Sequence, residues 1–199
     1  MLNIYTTLHL RKMLQNRLSP KRYYHSLMVE QAALELAAFH HGDWYRAGLA
    51  GLLHDICRDD HQDWQQAYME SHDFDFRGGW LQNPQIWHGV CGSFYLKKEL
   101  GIADRKILRA VRYHTTGRAG MTRLEQIVFV ADASSGDRSY PGVEQLRETA
   151  RRSLDEAMFL CLSHTVSCVA KRGLPLVRES WEAYNEYSSK QRSERKYDF

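Results

Sequence analysis

Apolar positions recur every three to four residues along almost the whole chain, which is the period of an amphipathic helix. Residues 5–17 form a first, short lead-in stretch. Ser19-Pro20 then supplies an N-cap and a proline for the first turn of the next helix, from about Lys21 to His41, which stops at Gly42. Asp43 caps a third helix that ends near Cys57 and presents Leu49, Leu52, Leu53 and Ile56 to a core. Residues 58–83 are polar and aromatic and predict short helices and loops. Further helices are expected over Ile86–Leu100, Arg105–His114 and Thr122–Asp132, followed by the irregular stretch SSGDRSYPG. Val143–Arg172 is expected as one long amphipathic helix closed by Gly173, and residues 178–189 as a last segment. No strand pattern stands out, so the expectation is an all-α bundle. It divides into a lead-in helix over 1–19, one domain over 20–189 and a charged, frayed tail over 190–199.

Composition narrows the class. A chain of 199 residues with 43% hydrophobic content is long enough for one domain with its own core. A net charge of +3 is too small to imply a nucleic-acid partner. No apolar run approaches a membrane span, and the N-terminus lacks the apolar stretch and cleavage site of a signal peptide. The four cysteines, Cys57, Cys91, Cys161 and Cys168, form no CxxC pair. They are read as mostly buried thiols of a reducing, cytoplasmic compartment.

Polar residues interrupt the apolar stripes in a repeated way. His25 shares a face with Met28, Val29, Ala32 and Leu36, and His54 shares one with Ala47, Ala50 and Gly51. His114 and Asp132 each follow apolar residues three and four positions back. All four side chains should therefore point inward. One inward histidine is ordinarily a core residue bonded to a carbonyl, and an Asp at a helix end is ordinarily a cap. An ordered set of His25, His54-Asp55, His88, His114 and Asp132 is harder to dismiss. Buried carboxylates and imidazoles together suit a divalent first-row metal such as iron, manganese, zinc or cobalt.

That set resembles the HD-domain superfamily, whose pattern is a His, a downstream His-Asp and a late Asp on a helical bundle. Arg22-Tyr23-Tyr24-His25-Ser26, Ala50-Gly51-Leu52-Leu53-His54-Asp55, His88-Gly89, His114-Thr115-Thr116-Gly117, Met121, Ala131-Asp132, Arg138 and Tyr140-Pro141-Gly142-Val143 resemble its YqeK-type branch of symmetrical diadenosine tetraphosphate hydrolases. The resemblance spans about residues 20–185. It implies an all-helical fold, an iron-type centre of one or two ions, and cleavage of diadenosine tetraphosphate into two ADP. Two positions depart from the branch. Ser135-Gly136 stand where Glu-Pro is usual, which removes a carboxylate near the site, and Arg58 stands where Lys is usual.

With the resemblance, His25, His54, Asp55 and Asp132 are assigned as metal ligands. Asp55 or Asp132 also orients the attacking water. Arg22, Arg58, His88, His114, Thr115 and Arg138 are assigned to nucleotide phosphate, with Thr116 as a further hydroxyl donor. His88 and His114 are catalytic candidates, either as donors or as ligands of a second ion. Trp87 is held in reserve as a base-stacking residue, and His164 is read as structural. The expected partner is a dinucleoside polyphosphate or ADP, and a homodimer is left open. Two rival readings are another HD phosphohydrolase, acting on a nucleoside monophosphate or an alarmone, and a nucleotide-sensing module with little turnover.

Overall fold

The computed structural model describes residues 7–195, and the described residues contain helices and turns but no strand. The helices are α1 (Thr7–Arg17), α2 (Pro20–Phe39), α3 (Trp44–Leu53), α4 (Gln62–Glu70), α5 (Trp87–Lys98), α6 (Arg105–Tyr113), α7 (Arg123–Ser134), α8 (Val143–Arg152), α9 (Leu154–Lys171) and α10 (Arg178–Arg195). Residues 5 and 6 of the expected lead-in helix, and 196–199 of the tail, lie outside the described residues. Helix α10 runs through Arg195, into the stretch expected as the tail.

Local chemistry explains most boundaries. Pro20 opens α2, and the Ser19 hydroxyl makes no cap hydrogen bond; Ser19 O accepts from Tyr23 N, and the Ser19 N–H donates to Asp59 Oδ2, both at 2.8 Å. The α2 helix ends where His41 adopts a left-handed conformation (φ 51°) and Gly42 returns its N–H to Ala37 O. Asp43 then caps α3 by accepting from Arg46 N. That helix stops at Leu53, short of Cys57, because His54 to Asp60 fold into tight turns, with Ile56 N bonded to Leu53 O and Arg58 N to Asp55 O. The expected long helix over 143–172 is two helices. Ser153 is extended (φ −145°, ψ 116°), and its hydroxyl accepts from Glu156 N at 3.2 Å to start α9. Leu146, Ala150, Leu154, Ala157 and Met158 are buried on both sides of the break, so the apolar period passes through it unmarked.

The centre of the bundle is α2, packed against α3 and α7, with α6 closing the other side of α3 and α7. Val29, Ala33, Leu52, Leu53, Ile127, Val128, Val130 and Ala131 are buried there. Gly51 is what lets α2 and α3 approach. A Cβ at that position would meet Ala33 Cβ and Val29 O at 3.0 Å and Glu30 Cα at 3.2 Å. The lead-in helix is tied in by Arg17, which donates to Ile56 O at 2.8 Å and pairs with Asp60. No described helix is long and apolar enough to cross a membrane.

Candidate metal centre

Six side chains from five helices converge at one end of this core. His25 projects from the interior of α2. His54 and Asp55 follow directly on α3. His88 lies in the first turn of α5, His114 directly follows α6, and Asp132 lies in the last turn of α7. His54 and His114 use one local device. A helix C-terminus leaves carbonyls without a helical partner. His54 Nδ1 donates to Gly51 O, and His114 Nδ1 donates to Val111 O, both at 2.7 Å. A carbonyl can only accept, so Nδ1 carries a proton in both rings, and in the neutral form of each ring the lone pair is on Nε2. His25 Nδ1 faces Asp137 Oδ2 at 2.8 Å and donates to it, while Arg138 Nη2 stands 3.3 Å from Nε2, where a guanidinium can only donate and the lone pair of a neutral ring accepts.

These lone pairs meet carboxylates. His25 Nε2 is 3.0 Å from Asp132 Oδ1 and 4.0 Å from Asp55 Oδ2. His54 Nε2 is 3.4 Å from Asp55 Oδ2 and 3.9 Å from Asp132 Oδ1. His114 Nε2 is 3.6 Å from Asp55 Oδ1. Where the rings are neutral, acceptor faces acceptor at these distances, and a cation or an added proton relieves the opposition; Arg138 and Arg22 do so only at the rim, on Asp132 Oδ1 and Asp55 Oδ2. His54 Nε2 is buried with no hydrogen-bond partner. That orphaned atom, the inward lone pairs and the two carboxylates fit a divalent first-row metal.

His88 differs. Arg58 Nη1 donates to Gln85 O at 2.6 Å and to His88 Nδ1 at 2.9 Å. A guanidinium only donates, so His88 Nδ1 accepts and its proton lies on Nε2, 3.1 Å from both Asp55 Oδ1 and His114 Nε2.

Charge follows from these contacts. Burial alone would raise the Asp55 carboxyl, but His54, His114 and His88 outweigh it and hold it well below the usual carboxylate range. Asp132 is lowered in the same way, with burial overcome by His25, His54 and Arg138. Burial opposes a proton on His54, yet Asp55 and Asp132 raise its affinity for one. Burial dominates at His88, pushing it down to about 4 against the pull of Asp55, with His114 and Arg58 adding to the fall.

Asp55, His88, His114 and Asp132 of this centre line a cavity of about 580 Å³, with His25 and His54 buried behind them. Arg22, Arg58, His88, His114, Thr115 and Arg138 all line it. The arginines are engaged as well as cavity-facing. Arg22 Nη1 pairs with Asp55 Oδ2 at 2.8 Å, and Arg138 donates to Asp132 O at 2.9 Å while its Nη2 contacts Asp132 Oδ1. Thr116 is not on this wall. Its hydroxyl is buried and bonded to Gly117 O. Trp87 is core rather than a base platform, buried with Nε1 donating to Trp80 O. His164, read as structural, lines the cavity and stacks on Tyr140 at 5.8 Å.

The sequence reading missed Asp137 and Arg147. Asp137 also accepts from Ser135 Oγ at 2.7 Å, so the SSGD turn still delivers a carboxylate to the site. Burial would raise that carboxyl, but Ser135 and His25 hold it low. Arg147 of α8 braces the same turn, donating to Ser134 O, Ser135 O and Arg138 O at 2.7–2.9 Å.

The chain is similar to known proteins over most of its length. A family model described as HD domain matches residues 22–137. A symmetrical bis(5'-nucleosyl)-tetraphosphatase of Bacillus subtilis (strain 168) is 32% identical over 176 residues, covering 86% of this chain and 91% of that one. A protein of the same name from Staphylococcus aureus is 32% identical over 181 residues, covering 89% and 92%. A crystal structure from Clostridium acetobutylicum, described as a predicted HD superfamily hydrolase involved in NAD metabolism, superposes with a TM-score of 0.90 at 31% identity. It covers 94% of this chain and 100% of that one.

Proposed function

Because this chain belongs to the HD-domain family, we propose that it is a metal-dependent hydrolase cleaving a symmetrical dinucleoside tetraphosphate, diadenosine tetraphosphate first, into two nucleoside diphosphates. The observation that carries the reading is the packing of His25, His54 and His114 against Asp55 and Asp132, in overlapping groups able to hold an ion, with both carboxylates and His114 open to an arginine-lined cavity. The likeness to symmetrical tetraphosphatases over nine-tenths of their length supports the substrate class. The ligands proposed are His25, His54, Asp55 and Asp132. The donor set suits iron, with manganese, cobalt and zinc as alternatives. A bound ion of this kind supplies Lewis acidity and a water of lowered pKa.

The remaining roles follow from protonation. His88 Nε2–H is a donor fixed by Arg58, so it hydrogen-bonds a phosphoryl oxygen rather than ligating an ion. One ion is therefore favoured over two. His114, whose Nε2 faces His88 Nε2–H at 3.1 Å, is the second catalytic candidate on this wall. Arg22, Arg58, Thr115 and Arg138 orient and neutralise the polyphosphate, where negative charge gathers on oxygen during phosphoryl transfer.

The test is metal analysis of protein purified without chelator, followed by product analysis with diadenosine tetraphosphate. Two ADP per substrate, lost in His54→Ala, is the expected result. AMP with ATP would exclude symmetrical cleavage. Release of nucleoside and phosphate from a monophosphate, in preference, would place the chain among other HD phosphohydrolases.

A further inference from the structure

Three imidazoles turn their Nε2 atoms inward, but they are not held alike. His54 and His114 follow helix ends and find spare backbone carbonyls for their Nδ1 protons. His25 lies in the interior of α2, where the neighbouring carbonyls are already taken by the helix. A side chain there has no local acceptor, so its orientation depends on a group from another element. That group is Asp137, 112 residues away in the turn after α7.

The turn is built to hold that carboxylate. Asp137 Oδ1 accepts from Ser135 Oγ, which leaves Oδ2 aimed at His25. The turn itself is pinned from α8 by the three carbonyl contacts of Arg147. Arg138, the next residue, grips the backbone and carboxylate of Asp132. One short turn thus contacts both His25 and Asp132, whose Nε2 and Oδ1 are 3.0 Å apart.

Resting on the metal reading above, we propose that Asp137 is the positioning residue of His25. It fixes the Nδ1–H tautomer, sets the ring plane and, alone among the three Nδ1 partners, adds a negative charge that makes Nε2 a stronger donor to the ion. A carboxylate behind a ligating imidazole raises ligand basicity, and its loss typically costs 10–100-fold in metal affinity.

Wild type, Asp137→Asn and Asp137→Ala are stripped with chelator, melted, and titrated with Mn²⁺ by equilibrium dialysis. Asp137→Ala is expected to bind Mn²⁺ roughly tenfold to a hundredfold more weakly. Asp137→Asn keeps an acceptor oxygen without the charge and should lose less. The metal-free melting temperatures should stay within about 2 °C of wild type, since the turn is held by Arg147. Affinity within twofold of wild type in Asp137→Ala would overturn the proposal. So would equal losses in Asn and Ala with a melting temperature lowered by more than about 5 °C, which would make Asp137 a brace of the turn. Wild-type protein that binds no Mn²⁺ would instead overturn the metal reading, and is told apart because no variant is involved.

Discussion

His54 and His88 sit within one cluster and carry their protons on opposite nitrogens, because a carbonyl holds one Nδ1 and a guanidinium the other. A pH effect follows for His88. In the fold it stays neutral down to about 4, whereas an unfolded chain titrates near the ordinary 6.5. Between those values the unfolded state binds the extra proton. Its contribution to stability is therefore complete above about pH 6.5 and is lost as pH falls toward 4. Asp55 and Asp132, held low, lose theirs only at lower pH. Metal-free protein should show a melting temperature that drops from pH 6.5 to 4.5, and His88→Gln should flatten the drop; an unchanged slope would show another group responsible. Arg138→Ala, which removes a charged wall group and the grip on Asp132, should lower kcat/KM roughly tenfold or more, with Arg138→Lys restoring only part. Steady-state kinetics on both variants decide this. The sequence made His25, His54 and Asp132 legible because each interrupts an apolar stripe, and Asp55 because it follows His54 directly. Asp137 lay in a polar turn with no stripe to interrupt, and nothing in the order of residues reveals that Arg58 holds His88.

At the scale of elements, the site depends on how closely α2 and α3 approach. Gly51 and Gly48 both face α2 from α3, but a methyl group meets different things. At Gly51 it meets backbone, and at Gly48 it meets the side-chain tip of Leu34 at 2.9 Å. Gly51→Ala should push the helices apart, cost about 1–3 kcal/mol and reduce turnover by moving His25 from His54. Gly48→Ala should be tolerated with little change, because Leu34 can turn aside. Urea melts with activity assays on both variants test the contrast; equal effects would show that the crossing is not set by Gly51. Helix positions were largely readable from periodicity, with Pro20, Asp43, Gly101 and Gly173 marking ends. The break at Ser153 was not, because its buried apolar neighbours keep the period on both sides. The capping residues Ser153 and Glu156 were the available signal. Arg147 was hidden for a related reason: on a charged helix it reads as solvated, yet it serves the turn beside the site.

For the whole molecule, a metal at this centre would cross-link α2, the segment after α3 and α7. Ligand binding to the native state alone stabilises by about 2.7 kcal/mol at a hundredfold excess over Kd. Chelation should accordingly lower the melting temperature by roughly 5–10 °C, reversed by adding back Mn²⁺ or Fe²⁺ under reducing conditions. A melting temperature indifferent to chelator and metal would show that no ion bridges these helices. The distribution of the donors along the chain has a consequence for synthesis. His25 and Asp132 are 107 residues apart, and the turn that orients His25 comes later still. A growing polypeptide therefore carries the first histidine, and then the His-Asp pair, long before it has the residues that finish the cradle. Such a chain emerges from the ribosome without the complete set of proposed ligands, which is assembled only when α7 and the turn beyond it have docked. On the proposed metal reading, loading would then follow closure of the last contacts and would mark a chain that has finished folding.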